Sequence, residues 1–183
     1  MTPVEIENCI ASMIVLVDSR ENPRAEGYEK RMEALGVPYE RKKLDYGDYT
    51  YNFTLPNGKP AYEGDTVSGM AVIERKMSLD ELSGNLCQEF DRFNREFRRA
   101  MDAGASVYLL VEEATWEKIY NHKYNTQFNE KAYTKRLLRL AAEYDVKPIF
   151  CRSETAGKLI HDILERELKV RLERGDYDEE VKS

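Results

Sequence analysis

Asp45-Tyr46-Gly47-Asp48-Tyr49-Thr50-Tyr51-Asn52-Phe53 and Met70-Ala71-Val72-Ile73-Glu74-Arg75-Lys76-Met77-Ser78-Leu79-Asp80 are the two stretches that decide how this chain reads. The first opens in a turn at Asp45–Asp48 and runs into an aromatic, threonine-containing strand over 49–53. The second is an aliphatic strand over 70–74 that ends on three charged residues. Between them, 55–69 carries Pro56, Asn57-Gly58, Pro60, Gly64 and Gly69. That is loop chemistry, with a small hairpin expected at Asn57-Gly58. The two strands are expected to pair. Pairing sets Asp48 and Glu74 at the same end, where two carboxylates can share one cation. Lys76 follows Glu74 by two residues, so in extended chain both side chains point to one face. Two acids and a lysine so placed form the set that metal-dependent phosphodiester cleavage needs. Carboxylate oxygens hold a hard divalent cation. The cation polarises phosphate and activates water. The lysine offsets charge that builds on the phosphate.

Working outward, Met13–Val17 reads as a buried strand, ended by Asp18-Ser19-Arg20-Glu21-Asn22-Pro23. A helix follows from about Arg24 to Leu35, with Gly36 as its stop. Val37–Leu44 reads as another strand. On the far side of the key stretch, Ser78 is placed as a helix N-cap with Glu81 as its capping-box partner. The helix from Leu79 to Ala103 is expected to break near Ser83-Gly84-Asn85. Then come a strand at Ser106–Glu112, a short helix near Thr115, a loop at Asn121–Asn129 and a helix at Glu130–Tyr144. A strand at Lys147–Cys151 and a long amphipathic helix at Glu154–Arg174 close the order. Strands alternating with helices, with one antiparallel hairpin, imply an α/β sandwich around a mixed sheet. One domain over residues 1–175 is expected, followed by an acidic, frayed tail over 176–183.

The bulk numbers set limits. The 183 residues suit one domain with a sizeable core. Charged residues make up 34% and hydrophobic ones 42%, so a folded chain is expected rather than a disordered one. No apolar run approaches a membrane span, and Met1–Ser12 lacks signal-peptide character. A cytoplasmic protein is the default. Cys9, Cys87 and Cys151 lack metal-ligand spacing and suggest no disulfide framework. His122 and His161 are the only histidines, which argues against histidine metal sites and Ser-His triads. The net charge of -6 argues mildly against a protein that coats nucleic acid. Basic residues nonetheless cluster at Arg41-Lys42-Lys43 and at Arg92, Arg95, Arg98 and Arg99. Tyr46, Tyr49 and Tyr51 read as packing residues.

Gly47-Asp48, a gap, then Glu74-Arg75-Lys76 and Asp80 after three residues resembles the motif of XPF-type (ERCC4-domain) structure-specific endonucleases at every fixed position. Val17-Asp18-Ser19-Arg20-Glu21 resembles the Val-Asp-x-Arg-Glu of the same family, and Arg92-Phe93 matches a further, looser element. The resemblance covers roughly residues 13 to 165. It implies a restriction-endonuclease-like (PD-(D/E)xK) fold, a mixed central sheet flanked by helices, and a Mg²⁺ or Mn²⁺ site. It implies that Asp48 and Glu74 are the main metal ligands and that Asp18 and Glu21 complete or support the site. Lys76 would contact the scissile phosphate or the attacking water. Arg75 would hold a phosphate or brace the acids, and Asp80 would orient Lys76 or Arg75. Arg20, Arg75, Arg92 and Arg95 become candidate nucleic-acid contacts. The expected activity is cleavage of branched or junction DNA in repair, recombination or phage replication. Family members usually continue into a tandem helix-hairpin-helix module, so a standalone bacterial or phage nuclease domain is expected here. A homodimer or a separate DNA-binding partner would then help it. The alternative is a non-catalytic nucleic-acid-binding or scaffolding subunit of the same fold.

Overall fold

A computed structural model describes residues 1–178 of the chain. Its centre is a seven-stranded mixed sheet. In chain order the strands are β1 (Ile14–Asp18), β2 (Tyr39–Leu44), β3 (Tyr49–Asn52), β4 (Thr66–Val67), β5 (Ala71–Lys76), β6 (Ser106–Glu112) and β7 (Lys147–Cys151). In space they run β4-β2-β1-β3-β5-β6-β7. Only β3 is antiparallel to its neighbours, β1 and β5; the other pairs are parallel. The hairpin expected from sequence is therefore the hinge of the sheet. Its extended arm is short, with Tyr49 opposite Ile73.

The helices are α1 (Pro3–Ala11), α2 (Tyr28–Ala34), α3 (Leu79–Cys87), α4 (Phe90–Asp102), α5 (Trp116–Tyr120), α6 (Glu130–Tyr144) and α7 (Ser153–Arg174). The long α7 lies on one face with α1 and α2 packed against it. Its Ile160, Leu164, Leu168 and Leu172 join Val15, Val17, Tyr49, Tyr51 and Ile73 in one core. Each such fully buried apolar side chain contributes about 1.5–3 kcal/mol of transfer free energy. A Cβ on Gly157 would sit 2.3 Å from the Arg31 carbonyl oxygen, so glycine is what lets α7 approach α2 this closely. The opposite face packs Val72, Leu109 and Val111 under Leu82, Leu86, Phe93, Phe97, Leu137 and Leu140 of α3, α4 and α6.

Several boundaries differ from the sequence expectation, each for a local reason. Helix α1 is additional: Thr2 and Glu5 form a capping box and Pro3 takes the first helical position. Helix α2 starts later than Arg24, after Gly27 in a left-handed conformation. The break after α3 falls at Gln88–Glu89 rather than 83–85. Ser83 stays helical because its hydroxyl finds partners in the Asp80 carbonyl at 2.7 Å and in Thr126 at 2.9 Å. Ser78 caps α3 as expected, but the Glu81 carboxylate accepts from Met77 N–H at 2.8 Å. The small turn at Asn57-Gly58 forms, with Gly58 N–H donating to Leu55 at 2.8 Å.

The tail expected from residue 176 also needs correction. Tyr177 is buried, and its hydroxyl bonds those of Tyr51 and Tyr62 at 2.8 and 2.9 Å. Packed structure thus reaches Asp178. The remaining acidic tail, 179–183, lies outside the described residues. Among the described residues no helix is long and apolar enough to cross a membrane.

Candidate active site

Strand alternation sorts the charged residues of β5 onto two faces. Val72, Glu74 and Lys76 face the α3–α4–α6 layer; Ile73 and Arg75 face α7.

On the first face, Gly47 makes the approach to β5. It has φ +72°, and a Cβ there would stand 2.9 Å from the Val72 Cβ. The turn this permits locks Asp48 between strands. Asp48 N–H donates to Ile73 at 2.8 Å, and the Asp48 carbonyl accepts from Asp18 N–H at 2.8 Å. The half-buried Asp48 carboxylate accepts through Oδ2 from Arg75 N–H at 2.7 Å. Buried Glu74 accepts through Oε1 from Lys76 Nζ at 2.7 Å. Among the described residues, Asp48 Oδ1 and Glu74 Oε2 have no hydrogen-bond donor.

Electrostatics follow from this crowding. Burial pushes the Asp48 carboxyl well above the usual carboxylate range, and the Glu74 charge pushes it further. Burial also raises Glu74, against the pull of Lys76. Burial alone would lower Lys76, but the Glu74 and Asp48 carboxylates outweigh it and the ammonium titrates above its ordinary value. Lys76 also lies 4.0 Å from Glu81 and 5.4 Å from the centre of the Phe93 ring. The Glu74 and Asp48 carboxylates thus favour its ammonium form.

Asp18 lies buried at the end of β1, and Arg20 grips it. Arg20 N–H donates to Asp18 Oδ1 at 2.8 Å, Nε donates to both oxygens, and Nη2 donates to Oδ2. The Arg20 side chain is itself 63% exposed, and its Nη2 also donates to the Leu44 carbonyl at 3.1 Å.

On the second face, Arg75 Nε donates to Glu112 Oε1 at 2.6 Å, with both side chains nearly buried. The Arg75 guanidinium is thus occupied by Glu112, which is not one of the four expected acids; only its backbone N–H reaches one of them, Asp48. Glu21 lies here too: it accepts from Tyr49 Oη at 3.3 Å and from Arg31 at 3.5 Å. Arg31 Nε donates to Tyr49 Oη at 2.9 Å. Glu21 still adds negative potential at Asp48. Asp80 departs from its expected role. Its carboxylate accepts from Asn125 N–H at 2.7 Å and from Asn125 Nδ2 at 2.8 Å. It pins the 121–129 loop and bonds neither Lys76 nor Arg75. Arg92 and Arg95 lie exposed on α4.

Glu112, Arg31 and Glu81 join the site without having been singled out. Glu112 stands at the end of an apolar strand beside β5, paired in register one residue beyond Lys76's partner Val111, and that register was the missing signal.

The sequence from residue 17 to 163 matches the ERCC4 domain model. The chain belongs to the ERCC4 domain family. Its fold is the restriction-endonuclease-like mixed sheet flanked by helices. It is similar to the solved structure of XPF from Aeropyrum pernix, with TM-score 0.58 and 19% identity over 90% of this chain and 69% of that one. It is also similar to the complex of XPF from Aeropyrum pernix with DNA, with TM-score 0.56 and 21% identity over 84% of this chain and 64% of that one. The chain thus spans about two thirds of the length of these proteins. No curated protein matches it.

The donor set of this ERCC4 domain fits a hard divalent cation in part. Asp48 Oδ1 and Glu74 Oε2 supply uncommitted carboxylate oxygens, the ligand type that Mg²⁺ and Mn²⁺ prefer. Among the described residues, no group of three His, Cys, Asp or Glu side chains is gathered as a ready cage. The expected four-acid set is therefore not assembled: Asp18 is neutralised by Arg20, and Glu21 is turned to Arg31 and Tyr49.

Proposed function

We propose that this chain is a metal-dependent DNA endonuclease that hydrolyses phosphodiester bonds at branches or junctions. The observation that carries this reading is the pairing of two carboxylates, each with an uncommitted oxygen, beside the fixed Lys76 ammonium at one sheet end. Asp48 and Glu74 would hold Mg²⁺ or Mn²⁺. When bound, the ion polarises the phosphate and activates water. Lys76 offsets negative charge on the non-bridging oxygens as the water attacks. Arg75 acts indirectly: its backbone N–H aims the Asp48 carboxylate, and Glu112 holds its guanidinium away from the phosphate. Asp18 and Arg20 form a clamp whose opening gives the acid to the site and the guanidinium to a phosphate. Repair, recombination or phage replication is the setting in which such substrates arise.

The test uses labelled flap, fork, four-way and plain duplex DNA, with Mg²⁺ or Mn²⁺. Cutting near the branch is expected. Asp48→Ala should abolish it, and Lys76→Ala should slow it by about 10²–10³-fold. Unchanged cutting by either variant would remove the site assignment. One observation favours a second reading, a module that binds nucleic acid or a partner without cutting: Asp18 is already neutralised from within by Arg20. Binding in Ca²⁺ with no cutting in Mg²⁺ or Mn²⁺ would select it.

A further inference from the structure

Helices α4 and α6 lie side by side beyond the site, and three adjoining depressions of about 420, 560 and 320 Å³ follow their seam. Arg92, Arg95 and Arg98 come from α4; Lys135, Arg136 and Arg139 come from α6. Among the described residues that line these depressions, only Glu89, Asp91 and Glu143 are acidic, and Asp102 adds negative potential at Arg98. That is a local excess of positive charge in a chain whose net charge is -6.

The arginines are held in place. Arg136 donates to the Leu86 carbonyl and sits 4.8 Å from the centre of the Phe90 ring. Arg139 lies 5.9 Å from the same ring and donates to Glu143 at 2.7 Å. Arg92 faces Glu89 at 3.8 Å and Arg98 faces Glu143 at 3.9 Å. Arg95 lines two of the depressions, and Lys135 lines a third part of the seam. Both are exposed, and neither has an ion pair or hydrogen bond among the described residues. Two uncompensated cations set among pre-aimed ones suit an anion supplied from outside.

We infer that this seam binds the sugar-phosphate backbone of a DNA arm leading away from the cut site. The inference rests on the nuclease reading. A line of cations suits a linear polyanion better than a single phosphate. On α4, residues 92, 95 and 98 advance about 4.5 Å per step along the axis. Helix α4 also links the two places directly, because Phe93 carries Lys76 and Glu96 adds negative potential at Glu74. Contacts of this kind position the duplex and carry no sequence information. Binding through the seam is therefore sequence-independent and strongly salt-dependent.

The experiment measures binding of fluorescent duplex and forked DNA in Ca²⁺, without cutting, across a KCl series. Arg95→Ser/Lys135→Ser is compared with the parent chain and with Arg166→Ser/Lys169→Ser, which removes equal charge from α7. The seam variant should lose on the order of tenfold in affinity, with its salt slope smaller by about 2, one for each phosphate it no longer neutralises. The α7 variant should lose much less. Melting curves check that both variants fold. Equal losses in the two variants, no loss in the seam variant, or a change of oligomeric state in the seam variant would overturn the inference. A parent that binds but never cuts, with the seam loss intact, would overturn the catalytic reading and leave the seam standing.

Discussion

Asp48 carries an internal conflict: its backbone is locked on both sides while its carboxylate is desolvated beside Glu74. A carboxyl whose folded-state pKa is raised favours folding below its unfolded-state pKa and loses that contribution as pH rises through the folded value. Asp48→Asn is therefore expected to leave stability unchanged below about pH 4, near the ordinary aspartate value. At pH 8, without metal, it should raise stability by on the order of 1 kcal/mol while cutting is lost. Urea midpoints across pH check this. Saturating Mg²⁺ should stabilise the parent, by about 2.7 kcal/mol at one hundred times Kd, and not the variant. The Arg75–Glu112 pair poses the opposite problem. Removing one partner strands a buried charge, so Glu112→Ala should cost about 3 kcal/mol, and Arg75→Met/Glu112→Leu much less. A double-mutant cycle on urea midpoints measures that coupling. Asp48, Glu74 and Lys76 were readable because spacing and alternation are local. Arg75's partner lies 37 residues away and Asp80's lies 45 away, beyond the reach of any local pattern.

The turn that leads from β2 into β3 serves both fold and site. Its backbone joins β1 to β5 through Asp48, and Gly47 makes the joint. Gly47→Ala adds a Cβ 2.9 Å from Val72 at a positive φ, so a loss of about 1–3 kcal/mol is expected. If the turn matters for aiming Asp48, metal affinity must fall further than stability does. Calorimetry with Mn²⁺, at a temperature where the variant stays folded, reads the difference; unchanged affinity would make Gly47 purely structural. The order and type of most elements were open to sequence reading because their periods and stop signals agree. The α3–α4 break was not, since Ser83 is kept helical by Thr126 from a distant loop. The capping signal Thr2-Pro3-Val4-Glu5 was present but precedes a helix of only 9 residues, too short to show a clear period.

Tyr177 ties the ends of the chain to its centre. Its ring meets Phe53 edge-on at 5.0 Å, and its hydroxyl joins Tyr51 of β3 and Tyr62 of the 54–69 loop. Tyr62 in turn receives Met70 N–H at 3.1 Å, at the threshold of β5. Met1 reaches the same corner through Asp178 at 3.2 Å. The loop is thereby tied to β3 and to the start of β5, and the strand that carries Glu74 begins from a fixed point. Sequence could not show this, because an aromatic among acids near the end of the chain looks like tail. Tyr177→Ala empties a packed site and should cost about 3–5 kcal/mol. Tyr177→Phe keeps the ring and removes one hydroxyl, so about 1 kcal/mol is expected. The two variants separate packing from anchoring. Hydrogen exchange at Tyr62 and Met70 should quicken in both, while exchange in β6 should quicken only as far as global stability falls. If the loop amides in Tyr177→Phe exchange as slowly as in the parent, ring packing alone holds the loop and the hydroxyl network adds nothing to it.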